Sequence, residues 1–348
     1  MSTVASEIAS EFLRQHAGRP EPESEPGIRE GTFASQAEIW LDGLTSRRSP
    51  VKPATLSTWQ SIVRAWVLPQ IGEESLASFD NAAMKRFVDF LCNEGELSPR
   101  HVRDVVLVTK LIVKSAVDEN GNYLHPRVWN GAFLDLPRVK VSNAHAATRE
   151  IIEDALKSCP KYATFLALAA ATGLRIGEML AIRIGDDGEH TCWSEKDAVI
   201  RVRTSVWRGE EQLPKTSAAI REVDLCNEIN AAVAVFASNR TGFLFASRSG
   251  ALSATTIYKR ALNKTQIPGV HAFRRFRAVR LAEFPECPVG LVKFWLGHAT
   301  HDLTQHYARG IAKNLALRRE WTERIGLGFD MPVSLVGSKT QTAKDVTA

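Results

Sequence analysis

Apolar residues recur at helical spacing along the first part of the chain, from about residue 32 to 135. The segments SQAEIWLDGL, TLSTWQSIVRAWVLPQIG and DNAAMKRFVDFLCNEG place large apolar side chains three or four residues apart. This spacing predicts three helices. The first is expected to turn Ile39, Trp40 and Leu44 to one face, and the second is expected to end at Pro69 and Gly72.

A fourth helix is predicted over SPRHVRDVVLVTKLIVKSAV, with Ser98 as the N-cap and Pro99 at the first helical position, where a missing N–H costs nothing. At 100° per residue, one face forms an apolar stripe of Val102, Val105, Val106, Thr109, Ile112, Val113 and Ala116. The other side is cationic and carries Arg103, Lys110, Lys114 and, nearby, Arg100. Such a face is either solvated or binds phosphate.

The second half of the chain mixes two periodicities. YATFLALAAATGLRIGEMLAIRI reads as a helix, a glycine break and a second helix, whereas AVIRVRTSV and REVDL alternate as strands do. Further helices are expected to begin near residues 228, 253, 272 and 288. The pattern predicts an α+β domain that is dominated by helices and contains a small antiparallel sheet.

These changes of pattern divide the 348-residue chain, whose length suits two domains. Residues 136–147, LPRVKVSNAHAA, lack periodicity and carry Arg138 and Lys140, so they are interpreted as a basic linker that could follow a DNA duplex. The full division is a polar, disordered tail (1–31), a helical domain (32–135), the linker (136–147), an α+β domain (148–328) and a C-terminal tail (329–348).

Charge and cysteine content narrow the class of protein. The net charge is +5, but the first 30 residues hold six glutamates and three arginines, so the remaining 318 carry +8. A basic surface favours a polyanionic partner. The five cysteines are scattered and odd in number, which argues against disulfides, and no apolar run is long enough to span a membrane. A cytoplasmic protein is expected.

The stretch WLGHATHDLTQHYAR contains three histidines, His298, His301 and His306, which raises the possibility of a zinc site. The last two are five residues apart, about 140° on a helix, and only Asp302 lies nearby to complete a four-ligand set. The alternative is that these imidazoles lie on surface helices. No metal or other cofactor is expected.

Two other segments concentrate cations. ATGLRIGEMLAI places Arg175 just after the helix-breaking Gly173, with Glu178 able to hold it or to cap the turn; HAFRRFRAVR places His271 and Arg274 on one helical face. Arginine suits phosphate because its planar fork donates two parallel hydrogen bonds. Taken singly, each group could equally be part of a surface salt bridge.

Together these segments resemble the tyrosine recombinase family, also called phage integrases, over about residues 32–325. The family's T-G-L-R-x-G-E is present from Thr172 to Glu178, its H-x-x-R from His271 to Arg274, and its L-G-H followed nine residues later by tyrosine as Leu296 to Tyr307. LPKTSAAIREVDL also resembles the family's lysine hairpin. The acidic start does not resemble the basic arm-binding domain of some phage integrases.

The resemblance implies a mostly α core-binding domain followed by the catalytic domain. It also implies cutting and rejoining of DNA through a 3′-phosphotyrosyl intermediate, with catalytic residues Arg175, Lys215, His271, Arg274, His298 and Tyr307. Tyr307 would be the nucleophile and Lys215 the general acid, and no metal would be needed. Arg100, Arg103, Lys110, Lys114, Arg138 and Lys140 are candidate DNA contacts.

The expected partner is double-stranded DNA at specific sites, bound by a homotetramer on two sites, with accessory DNA-bending proteins and no membrane. The expected setting is a phage or mobile element, with the protein in the cytoplasm and nucleoid-associated when bound. Two alternatives use the same fold: a DNA-binding regulator that does not cut, and a topoisomerase or end-resolving enzyme with the same tyrosine.

Overall fold

The structure is a computed structural model that describes residues 31–140, 146–214, 219–248, 250–298, 310 and 313–335. It divides into two compact units, Met1–Val141 and Ser142–Ala348, which are treated separately below. Within the described residues, no helix is long and apolar enough to cross a membrane.

The first unit contains helices and no named strand in its described part. Its helices are α1 (Phe33–Thr45), α2 (Pro53–Ile62), α3 (Leu68–Ile71), α4 (Asn81–Asn93), α5 (Pro99–Ser115) and α6 (Gly131–Leu134). Side chains cap several of them: Asp80 accepts a hydrogen bond from the backbone N–H of Ala83, and Ser98 accepts one from that of His101. The predicted start of α5, with Pro99 first, is confirmed.

The predicted apolar stripe of α5 forms the centre of this unit. All seven of its residues are buried, and α5 packs against α1, α2 and α4. The aromatic pairs Phe33–Phe79 and Trp40–Trp59 complete the core. The stripe is therefore confirmed, and its cationic opposite side remains at the surface.

Two details of the first unit differ from the sequence prediction. Ile39 does not join Trp40 and Leu44 in the core but is 64% exposed. Pro69 does not end its helix, because a π-helical turn, Val63–Val67, joins α2 to α3, whose C-cap is Gly72, the other predicted end. Proline has no N–H, so a wider turn before it accommodates the missing hydrogen bond and the chain stays helical to Ile71.

The second unit surrounds one helix that is apolar on every side. Its helices are α7 (Arg149–Ser158), α8 (Ala163–Thr172), α9 (Ile176–Leu180), α10 (Asn227–Ala237), α11 (Ala254–Arg260), α12 (His271–Ala282), α13 (Val289–Leu296) and α14 (Leu315–Ile325). All ten residues of α8 are buried, and α7, α10 and α12 pack around it. The four predicted helix starts are confirmed within a residue or so.

The main sheet has the order β1-β2-β3-β6, and two hairpins stand apart from it. The strands are β1 (Arg183–Ile184), β2 (Cys192–Ser194), β3 (Val199–Val202), β4 (Ser205–Trp207), β5 (Glu210–Gln212), β6 (Arg221–Asp224), β7 (Ala246–Ser247) and β8 (Gly250–Ala251). The β1–β2 pair is parallel and the other two pairings of this sheet are antiparallel.

The prediction of one continuous strand over AVIRVRTSV is wrong. The hydroxyl of Thr191 accepts the backbone N–H groups of Arg203 and Thr204 at 2.9 and 2.8 Å, which ends β3. The chain then enters the separate β4–β5 hairpin. This hairpin approaches α9 closely because Gly177 has no side chain: a Cβ there would lie 2.9 Å from the carbonyl oxygen of Val206.

Helix α14 packs within the second unit. Helix α14 contributes Trp321 and Ile325 to a second apolar cluster with α13 and the end of α12. Leu315, the first residue of this helix, is 56% exposed. A tail was expected to begin at residue 329, but Phe329 is buried, so the core extends past residue 328.

Gly173 ends α8 in the left-handed region, with φ +65°, and a Cβ there would lie 3.1 Å from Cβ of Arg277. Gly173→Ala should therefore lower stability by about 1 kcal/mol for the backbone strain and by roughly 1–3 kcal/mol more for overpacking. Gly185 has φ +85° and open space around it, so Gly185→Ala should show only the first loss. Calorimetric melting of the full chain measures both, and equal losses would contradict the close approach.

Candidate active site

Arg175 is placed by a break between two helices. Gly173 ends α8, and Arg175 is the N-cap of α9, with extended backbone. The carboxylate of Glu178 accepts the backbone N–H of Arg175 at 2.9 Å and its side-chain Nη1 at 2.8 Å. Glu178 thus both holds the arginine and caps the helix, the two roles considered from the sequence. The Arg175 side chain remains 45% exposed.

Arg274 lies on α12 and is buried. Its Nη1 donates to the carbonyl oxygen of Gly173 at 3.1 Å, and its Nη2 donates to that of Leu296. Burial lowers the pKa of Arg274 to about 10, with the charges of Arg175 and Arg221 acting in the same direction. Arg274 therefore stays protonated at neutral pH and joins the end of α8 to the end of α13.

His271 and His298 lie in the same electrostatic surroundings. His271 is the first residue of α12, and His298 follows Gly297, whose φ of +61° ends α13. Burial lowers the pKa of both imidazoles, and the charges of Arg274 and Arg175 lower them further. Both rings are therefore neutral at pH 7, which is the form that can accept a proton.

A residue to which the sequence gave no role completes this arrangement. Arg221, the first residue of β6, is buried and donates two hydrogen bonds to the carboxylate of Glu178. Burial raises the pKa of Glu178, but the hydrogen bonds and charge of Arg221, followed by those of Arg175, outweigh it and leave the pKa below its ordinary value. One carboxylate thus serves two arginines.

The described part of the site carries an excess of positive charge. Arg175, Arg221 and Arg274 stand against the single carboxylate of Glu178, while the two histidines are neutral. Preorganised guanidinium groups of this kind stabilise an anion in a site with little water. The arrangement suits a phosphodiester whose charge increases in the transition state.

Four residues singled out in the sequence, Lys215, His301, His306 and Tyr307, lie outside the described residues. Lys215 comes three residues after β5, and Tyr307 comes between α13 and α14. Within the described part, no three His, Cys, Asp or Glu side chains group as a metal site would require.

The candidate DNA contacts of the first unit lie on its surface, and most have intramolecular partners. Arg100 pairs with Asp104 at 3.4 Å, Arg103 donates to the carbonyl of Pro137, and Lys110 and Lys114 lie over the rings of Trp129 and Tyr123. Arg138 and Lys140 are exposed. The aromatic partners were not foreseen, since they follow α5 in sequence without periodicity.

Comparison with known proteins shows which class of protein this chain is similar to. Residues 145–313 match the family model described as phage integrase family. Among solved structures, the chain is similar to the Tn1549 transposon integrase in complex with a circular intermediate DNA, with 17% identity, 85% of this chain and 100% of that chain covered, and a TM-score of 0.62. A search of curated proteins finds no match.

A lambda integrase dimer bound to a COC′ core site is also similar, with 16% identity, 87% and 85% coverage and a TM-score of 0.53. Likenesses at such identities define the fold, which is that of tyrosine recombinases. Residues 145–313, which contain the three motifs, match the phage integrase family, and this match together with the recombinase fold supports site-specific DNA recombination. Nothing in these comparisons supports a regulator that does not cut or a topoisomerase.

The histidine pKa values give a prediction for the DNA-free protein. The imidazoles of His271 and His298 should titrate below 6.5 in NMR spectra, assigned with His271→Gln and His298→Gln. Because the unfolded chain then binds more protons, the stability contributed by the neutral rings is complete above pH 6.5 and is lost as the pH falls. A midpoint at or above 6.5 for either ring would contradict the cationic surroundings.

Proposed function

We propose that this recombinase cuts DNA with Tyr307 as nucleophile. The tyrosine oxygen attacks the scissile phosphorus, the bond from phosphorus to the 5′ oxygen breaks, and Lys215 protonates that leaving oxygen. The product is a 3′-phosphotyrosyl bond and a free 5′ hydroxyl. Attack by the 5′ hydroxyl of a second strand reverses the steps and joins new partners, so no ATP is consumed.

The positive charge around Glu178 carries this proposal. Arg175 and Arg274 contact the nonbridging oxygens, whose charge increases in the transition state, and removal of one such donor typically lowers the rate on the order of 10²–10³-fold. The neutral rings of His271 and His298 position the phosphate or accept the tyrosine proton. The arginines supply the electrophilic assistance that a metal ion supplies in many nucleases.

The first unit is proposed to be a core-type DNA-binding domain, with the basic side of α5 and the segment containing Arg138 and Lys140 along the duplex. Two such units on either side of a site would place two active sites on opposite strands. We therefore expect a tetramer on two sites, as lambda integrase forms on a Holliday junction in a structure with a TM-score of 0.51 to this chain.

The setting is proposed to be a mobile element or phage, since the Tn1549 enzyme is a transposon integrase. The protein would act in the cytoplasm on nucleoid DNA, with accessory bending proteins that bring sites together. The bending proteins would act by making the deformed duplex easier to form.

The nucleophile can be tested without knowing the target. Tagged wild-type protein and Tyr307→Phe are expressed in the source cells, lysed in denaturant and recovered stringently, and attached DNA is sequenced. DNA should remain only on the wild type and end at recurrent positions. Because phenylalanine lacks only the hydroxyl, it is a matched control. Equal retention of DNA by both proteins would contradict a covalent bond to Tyr307. It would indicate either a different nucleophile or DNA that is carried through the purification without a covalent bond.

The proposed DNA face can be tested by salt dependence on a random duplex. Lys110→Gln and Lys114→Gln should each lower the slope of log K against log salt by about 1, because one phosphate contact fewer releases fewer counterions. Lys85, which pairs with Asp89 on α4, provides the control Lys85→Gln, whose slope should not change. Fluorescence anisotropy measures all three. Unchanged slopes for both α5 variants would place the DNA on another face.

A further inference from the structure

The side chain of Arg221 is 1% exposed and has a partner for nearly every donor. Its Nη1 and Nη2 donate to the two oxygens of Glu178 at 3.1 and 2.9 Å, and Nη1 also donates to the carbonyl of Ala219 at 2.9 Å. Its Nε donates to the carbonyl oxygen of Trp295 at 2.9 Å. One buried guanidinium thus joins α9, β6 and the end of α13.

The same side chain lies against Gly297. A Cβ on Gly297 would lie 3.0 Å from Cδ, Nε and Cζ of Arg221, so the residue before His298 must lack a side chain for the guanidinium to fit. Glu178 is only 5% exposed and is shared with Arg175. The chain of contacts therefore runs from Arg175 through Glu178 and Arg221 to the residues that precede His298.

The other end of β6 fixes the same region. Asp224 accepts the indole N–H of Trp295 at 2.7 Å and two hydrogen bonds from Arg318 of α14, at 2.8 Å each. Both helices that flank the sequence of Tyr307 are thus attached to one four-residue strand. Within this strand, Arg221 is also linked to Arg175, because both residues donate to Glu178.

We propose that Arg221 is a positioning residue for the recombination reaction. It acts by fixing the carboxylate of Glu178, which sets the position of Arg175 relative to the end of α13 and His298. The proposal rests on the role proposed above for Arg175. The guanidinium of Arg221 donates to Glu178, Ala219 and Trp295, and we infer that its effect on the reaction passes through Glu178 to Arg175.

Removal of Arg221 has a specific electrostatic consequence. The buried carboxylate of Glu178 keeps a single cationic partner, Arg175, and draws that guanidinium away from the phosphate. The defect should therefore depend on the charge of the scissile group. A methylphosphonate, in which a methyl group replaces one nonbridging oxygen, is neutral and needs less stabilisation from a guanidinium.

The test compares cleavage of two synthetic duplexes that carry the site recovered with wild-type protein, one with a scissile phosphate and one with a scissile methylphosphonate. At saturating DNA, Arg221→Met should cleave the phosphate about 10–100-fold more slowly than wild type, a smaller loss than for a direct donor. On the methylphosphonate it should cleave within roughly threefold of wild type, with unchanged DNA affinity. Equal defects on both duplexes would overturn the proposal.

Two controls separate the possible failures. Arg175→Ala should show the same dependence on charge, and if it does not, the proposed role of Arg175 fails rather than that of Arg221. Arg277 is also buried, but it donates to the carbonyl of Gly326 and does not contact Glu178. Arg277→Met therefore controls for the loss of a buried arginine and should slow cleavage of both duplexes equally.

If Arg221→Met does not fold, the variant Glu178→Gln/Arg221→Met removes both charges of the buried pair, which restores folding more readily than removal of one. The uncharged glutamine cannot draw Arg175 away, but it also does not fix Arg175 in place, so the double variant should still cleave the phosphate duplex more slowly than wild type. A double variant that cleaves the phosphate duplex at the wild-type rate would overturn the proposal.

Discussion

One buried carboxylate determines the arrangement of this candidate active site. Glu178 binds the backbone and side chain of Arg175 on one side and the fork of Arg221 on the other. A buried carboxylate without partners would be unstable as an anion, so these contacts are also a condition for folding. The local turn after α8, the start of β6 and the end of α13 must therefore form together.

Sequence patterns were sufficient wherever the structure is governed by local chemistry. The cap at Ser98 and the stripe of α5 follow from neighbouring residues alone. The three motifs predicted that Arg175, Arg274 and His298 belong to one site, because the motifs have the family's spacing. Contacts between distant segments were not accessible: the role of Arg221 depends on Glu178, 43 residues earlier.

The errors have the same origin. Apolar alternation continues through AVIRVRTSV, but the hydroxyl of Thr191, which is distant from it in sequence, ends the first strand. Helical spacing placed Ile39 inside, yet it belongs to a helix whose neighbours cover another face. The partners of Asp224, Trp295 and Arg318, become visible only once the strand and two helices are assembled.

The anchoring of Arg274 has a consequence for the charge of the site. Its partners are the backbone carbonyl groups of Gly173 and Leu296, at the C-terminal ends of α8 and α13. The peptide dipoles of a helix present their negative ends there. Arg221 likewise binds the carbonyl of Trp295 at the end of α13. Dipoles fix a guanidinium without cancelling its formal charge. The folded protein can therefore hold its arginines rigidly and still present a net cation to DNA.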